Sequence, residues 1–250
     1  MNCLPIIKVQ NLKVQYGSKV ILENIQFDVY SGEIFMVVGG SGCGKTTLLT
    51  RMIGLLEPDF GDVLIDGQSI NHATESQRLA ILRKIGVLYQ SSALFGSMDL
   101  LKNVSLPLEE LTKLPPDAIA EIAHNKLKMV GLGDFGHYMP AEVSGGMQKR
   151  AAIARAMALD PKILFLDEPS SGLDPITSSE LDKLVVNLAK ILGITFVIVS
   201  HDLSSICKIA RRVILLYQGK IIAEGQPQEL SNSSNSFVKS FFANNIGVVK

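Results

Sequence analysis

The stretch GGSGCGKTT, Gly39 to Thr47, constrains this chain more than any other. Before it stands a compact apolar run, IFMVV, and after it TTLLTRMIGLL, which has helical periodicity. An apolar run without polar alternation reads as a strand buried on both faces. Strand, glycine-rich turn and helix, in that order, match G-x-x-x-x-G-K-[ST], a loop that wraps phosphate. Its glycines let backbone N–H groups turn inward, and the helix start adds about half a positive charge. The wrap covers Gly39, Gly40, Ser41, Gly42, Cys43, Gly44, Lys45, Thr46 and Thr47. Lys45 is expected to reach the terminal phosphates, and Thr46 to offer a hydroxyl to Mg²⁺. Cys43 reads as a small filler, with the alternative that the helix start and Lys45 lower its pKa and make it reactive.

The rest of the chain fits around that unit. IIKVQNLKVQY and VILENIQFDVY are β-like runs parted by a turn at Tyr16-Gly17-Ser18. TESQRLAILRKIG has helical periodicity and a Thr cap candidate, and IGVLYQ reads as a strand ending at Gln90. From about 91 to 161 the β signal fades, and three helical runs follow one another. KILFLD, GITFVIVSH and RRVILLYQGKII bring the strands back, with a helix between the first two. Such alternation predicts a mostly parallel, buried sheet. The chain is expected to form one α/β domain. Core and β-subdomain would occupy about 1–90 and 162–230, an inserted α-helical subdomain about 91–161, and a polar tail about 231–250.

Polar residues gather where these strands end. ILFLDEP, Ile163 to Pro169, is an apolar strand closing in two carboxylates. Asp167 is placed to hold Mg²⁺, and Glu168, one residue on, to polarise an attacking water. VIVSHD ends in His201, whose neutral ring could bond the terminal phosphate or that water. In open α/β sheets, ligands sit at the carboxyl ends of strands, which puts Gln90 on the same rim. Its amide suits a metal ion or a held water, and Tyr16 has a ring available to stack on a base.

A second element, EVSGGMQKR, also opens a helix with small residues, at Ser144, Gly145 and Gly146. Their N–H groups and the Ser hydroxyl could hold phosphate oxygens. No lysine lies within this loop, and Lys149 and Arg150, a turn into the helix, need not point at its mouth. The chain thus carries one complete phosphate site and half of another.

Bulk properties exclude several classes. Lys plus Arg and Asp plus Glu both total 24, so nothing points to nucleic acid as a partner. No apolar run approaches the ~20 residues that span a bilayer. MNCLPIIKVQ lacks the basic and apolar regions of a signal peptide. Cys3, Cys43 and Cys207 are too few and scattered for a disulfide framework or a zinc site, which suits reduced thiols in the cytosol.

Tyr16, the phosphate loop, Gln90, VSGGMQKR, ILFLDEP, SGLD at 171–174 and His201 appear in the order of an ABC-transporter ATP-binding subunit, and the chain resembles that family over nearly its whole length. The resemblance implies a P-loop NTPase (RecA-like) core, an N-terminal antiparallel β-subdomain and a helical subdomain. It implies ATP and Mg²⁺ as cofactors, with Glu168 and His201 catalytic. It further implies a head-to-tail dimer of two copies, in which Ser144, Gly145 and Gly146 contact the partner's γ-phosphate and Asp174 helps set the seam. QSSALFGSMDLLKNVSLPLEEL, SGGMQKRAAIARA, LDPITSSELDKLV and FVKSFF are similar to ATPases of MCE-type phospholipid transporters, including the Mla system of Gram-negative bacteria. That closer likeness implies a permease, an MCE-domain substrate-binding protein, a small STAS-like subunit and a place on the cytoplasmic face of the inner membrane. Amino-acid, metal or lipoprotein cargo stays open, and a DNA-repair ATPase is disfavoured because the insertion has no heptads or metal cluster.

Overall fold

The computed structural model describes residues 4–246, so Cys3 and residues 247–250 lie outside the described residues. Two β-rich layers carry the helices. The first is an antiparallel sheet of β1 (Ile7–Tyr16), β2 (Lys19–Val29), β4 (Phe60–Ile65) and β5 (Gln68–Ser69), in the order β2-β1-β4-β5. The second contains β3 (Ile34–Val38), β6 (Ile85–Leu88), β7 (Ile163–Asp167), β8 (Thr195–Ser200), β9 (Arg212–Tyr217) and β10 (Lys220–Gly225), in the order β10-β9-β3-β8-β7-β6. Its pairs are parallel except β9 with β10, which close as a hairpin. The run RRVILLYQGKII is therefore two strands, because Gln218 and Gly219 both adopt positive φ and reverse the chain.

The unbroken apolar strands are explained by what covers their faces. Along β3, Ile34, Met36 and Val38 point into one core, and Phe35 and Val37 into the other. Neighbouring strands alternate in phase, with Leu164 and Leu166 on the first face and Ile163 and Phe165 on the second. The second face is closed by the antiparallel sheet and by α1 (Lys45–Met52). The first is closed by helices that follow β6, namely α3 (Leu100–Leu111), α4 (Pro116–Met129) and α5 (Gly145–Ala156), together with α6 (Pro175–Leu192). Burying each of Phe165 and Phe196 completely stabilises by about 1.5–3 kcal/mol, so a polar residue there would be costly.

Caps fix where the helices begin. Thr74 forms a reciprocal capping box with Gln77 at the start of α2 (Glu75–Leu82). α7 (Leu203–Ile209) opens on Asp202, two residues beyond the end of β8. The chain ends in a short α8 (Pro227–Leu230) and in α9 (Ser236–Ile246), whose Val238 and Phe242 are buried in the first core. The tail is thus anchored to the sheet-helix core as far as these residues.

Candidate functional site

The site follows from strand register. Val38 pairs with Ser200 and Asp167 pairs with Val199, so three parallel strands end side by side. The phosphate loop leaves β3 there and enters α1 at Lys45. Gly39 sits at φ 153°, and a Cβ on it would lie 2.3 Å from the Leu216 carbonyl oxygen. No other residue type fits that close approach. The loop borders a cleft of about 720 Å³. Tyr16, Gly39, Gly40, Ser41, Gly42, Gly44, Lys45, Thr46, Thr47, Gln90, Glu168 and His201 all line it.

Lys45 is 8 % exposed and donates from Nζ to the carbonyls of Gly39 (2.9 Å) and Gly40 (3.0 Å). The ammonium is thus held over the loop, where a phosphate would meet it. Asp167 is 5 % exposed, and its Oδ1 has no hydrogen-bond partner. Burial, with Glu168 adding to it, pushes its carboxyl above the ordinary value; Lys45, the Thr46 hydroxyl and Lys149 pull it back. An orphaned buried carboxylate oxygen beside a hydroxyl fits a hard cation such as Mg²⁺. Thr46 and Gln90, which also carry side-chain oxygens, line the cleft.

Glu168 follows directly. Its backbone turns out of the strand at φ 47°, a left-handed conformation uncommon outside glycine. Its amide still donates to the Val199 carbonyl at 2.9 Å, so the turn is anchored to β8. His201 stands one residue beyond the end of β8, and its Nδ1 donates to Glu168 Oε1 at 2.8 Å. That bond sets the ring's orientation and leaves the opposite nitrogen free for a phosphate or a water.

Several residues lie elsewhere than the sequence alone would place them. β6 stops at Leu88, so Gln90 belongs to the turn beyond it, with its Nε2 donating to Ser171 Oγ at 3.4 Å. The Cys43 thiol does not line the cleft; it packs against the second core. Burial raises its pKa, outweighing the pull of Lys45, which favours the filler reading over the reactive-thiol alternative. Tyr16 is the last residue of β1, is half exposed and receives Arg51 on its ring at 5.4 Å. Arg51 is buried on α1 and braces the tyrosine, a role that nothing in TTLLTRM announces. Phe241, from α9, lines the cleft as well. Its only sequence signal was the aromatic pair in FVKSFF.

The second small-residue element is separate. None of Ser144, Gly145 and Gly146 lines the cleft that holds Lys45. Ser144 caps α5 by accepting from the Met147 amide at 3.3 Å. Gly145 is exposed, and an added Cβ there would make only ordinary contact, with Leu173 Cδ2 at 3.6 Å. At Gly146 an added Cβ would fall 2.4 Å from Thr177 Cγ2. The two glycines therefore do different work: the first leaves a face bare, and the second lets α5 press on α6. Met147 packs partly buried against the first core, which explains an apolar side chain there. Asp174 caps α6, accepting from the amides of Ile176 (3.0 Å) and Thr177 (3.1 Å). Lys149 points away from the helix mouth and donates to the Gln90 carbonyl.

Comparisons with known proteins agree with this geometry. The ABC transporter family model matches residues 22–171. The chain is 39 % identical to the intermembrane phospholipid transport system ATP-binding protein MlaF of Haemophilus influenzae, over 94 % of this chain and 89 % of that one. It is 38 % identical to a probable ribonucleotide transport ATP-binding protein, mkl, of Mycobacterium leprae, over 94 % of this chain and 68 % of that one. The solved CbiO1 of Clostridium perfringens, part of the CbiONQ transporter complex, superposes with a TM-score of 0.84 at 31 % identity, covering 98 % of this chain and 97 % of its own. A dimeric ATP-binding cassette in a post-hydrolysis state with ADP and Pi superposes with a TM-score of 0.80 at 32 % identity, covering 88 % and 98 %. A phosphate loop, a strand-end carboxylate and a strand-end histidine around one cleft, with a second carboxylate buried beside Thr46, on a cassette of this topology, show that the chain belongs to the ABC transporter family as an ATP-hydrolysing subunit.

Proposed function

We propose that this chain powers phospholipid transport between the inner and outer membranes of a Gram-negative bacterium. The observation that carries the cargo is its 39 % identity, over 94 % of its length, to a phospholipid transport ATP-binding protein. No helix among the described residues is long and apolar enough to cross a membrane. As an ATP-binding subunit of a transporter, the chain would act through permease subunits, at the cytoplasmic face of the inner membrane. An MCE-domain protein and a small STAS-like subunit would complete the assembly. Residues 91–161 form the subdomain that would meet the permease.

The chemistry proposed for the cleft uses each residue where the geometry supports it. Backbone amides of Gly40 to Thr46, with Lys45, hold the phosphates of ATP, and Tyr16, braced by Arg51, receives the base. Mg²⁺ would be held by Thr46, Asp167 and Gln90 and would neutralise charge on the phosphate oxygens. Glu168 takes the proton of the attacking water, and His201, fixed by Glu168, faces the terminal phosphate. Ser144 and Gly145 of a second copy close over that phosphate, because their own chain's cleft lies elsewhere. ATP touches both halves, whereas ADP lacks the group that the partner holds. ATP therefore favours the closed dimer, and hydrolysis releases it.

The test is purification of the tagged full chain from detergent-solubilised membranes, followed by mass spectrometry of proteins and bound small molecules. A permease, an MCE-domain protein and phospholipid are the expected companions. A ribonucleotide in place of lipid would favour the reading suggested by the mycobacterial relatives. Recovery without any membrane protein would refute the transporter assembly.

A further inference from the structure

The link between β6 and α3 runs from Gln90, in the cleft, to the helices. It is strained: Ser92 and Ala93 adopt φ of 63° and 48°, the left-handed region that side chains disfavour. Ser92 is nonetheless buried. What holds the link is a set of side chains from the helices. The Gln90 carbonyl accepts from Lys149 Nζ. Arg155 donates from Nη2 to the Ser92 carbonyl at 3.0 Å and from Nη1 to the Ala93 carbonyl at 2.7 Å. Further along, Asn103 of α3, fully buried, pairs with both the amide and the carbonyl of Phe95.

Lys149 and Arg155 are costly choices for that task. Lys149 is 5 % exposed, and burial lowers its pKa, as it does for Arg155. Among the described residues, neither has a carboxylate within ion-pair distance. Asp167 and Glu168 act on Lys149 only through space. An apolar contact would hold a static turn at lower cost. Two desolvated cations, both committed to one backbone segment, point to a segment whose position matters. Both belong to α5, the helix that opens at Ser144. Lys149 stands five positions beyond Ser144, about 7.5 Å of stiff helix, so a displacement at one reaches the other almost undiminished.

We propose that α5 is a rod joining the two nucleotide sites of a dimer. Its N-terminus meets the partner's nucleotide, and two positioning residues, Lys149 at the Gln90 carbonyl and Arg155 at Ser92 and Ala93 just beyond it, carry that engagement to the segment that holds Gln90 in the chain's own cleft. This rests on the reading above that Ser144 and Gly145 face a second copy. It gives each site a direct mechanical report of whether its partner site is filled and closed.

The experiment uses the full chain carrying Glu168→Gln, with and without Lys149→Met, in Mg-ATP. Dimers are read by light scattering and hydrogen exchange by mass spectrometry at the amides of residues 91–95. With Lys149 present, ATP should slow that exchange about tenfold, and in the Lys149→Met dimer by less than about twofold. Lys149→Arg, which keeps a cation for the Gln90 carbonyl, should recover the slowing. Equal slowing in Lys149→Met dimers would overturn the rod. Without nucleotide, Lys149→Met should speed exchange at 91–95 about tenfold while the amides of β3 stay unchanged; no change at 91–95 would overturn the clamp itself. If Lys149→Met does not fold, Arg155→Gln is read by the same criteria. Failure of the Glu168→Gln parent to dimerise would instead sink the partner-facing reading, and the coupling with it.

Discussion

Replacing Gly146 by alanine tests whether the second glycine of the SGG element serves packing, with the first left to the ligand. The added Cβ would lie 2.4 Å from Thr177 Cγ2, more than 1 Å inside ordinary contact, and both atoms sit on helix starts. Such overpacking costs about 1–3 kcal/mol. Alanine in place of glycine in a helix returns about 0.8–1 kcal/mol. The net expectation is a loss of about 0–2 kcal/mol for Gly146→Ala. Thr177→Ser removes only the offending methyl and keeps the hydroxyl that bonds Asp174. The double variant should then recover the loss and retain the propensity gain, a coupling of about 1–2 kcal/mol. Urea unfolding of wild type, both single variants and the double variant measures that coupling. ATP-driven dimerisation of the double variant should survive, because Ser144 and Gly145 are untouched. Strictly additive unfolding energies would refute the contact as the reason for Gly146.

Glu168→Gln should bind ATP normally and lower turnover by about 10²–10⁴, because the amide keeps the bond to His201 but cannot take a proton. Near-normal phosphate release would remove Glu168 from that role. Ser144→Arg should leave calorimetric ATP affinity of the monomer intact while abolishing ATP-dependent dimers in light scattering; intact dimers would refute the partner-facing assignment. The raised pKa of Cys43 keeps its thiol protonated at neutral pH, and alkylation should quicken as pH rises toward that pKa. Iodoacetamide labelling of Cys43 at pH 7 should therefore be slower than that of a free thiol, and faster labelling would contradict its burial.

The sequence by itself determined the phosphate loop, the strand-end acids and the helix starts, because each is a local pattern. IFMVV before GGSGCGKTT, two acids after ILFLD and a serine before a helix are all read within about ten residues. The same locality marked SGG as a small-residue helix start without a lysine in its loop. Only the tertiary structure decided which side chains converge across the chain. Gln90 and Lys149 meet 59 residues apart, and Arg51 reaches Tyr16 from another element. Phe241 enters the cleft from a tail that the motifs do not touch. Tertiary packing also turned the Cys43 thiol inward and gave Gly146 a neighbour in Thr177. The physical reason is common to all of these. Burial, close approach and the pairing of a desolvated cation with a carbonyl are properties of surfaces brought together by the fold. No short stretch of sequence contains both surfaces.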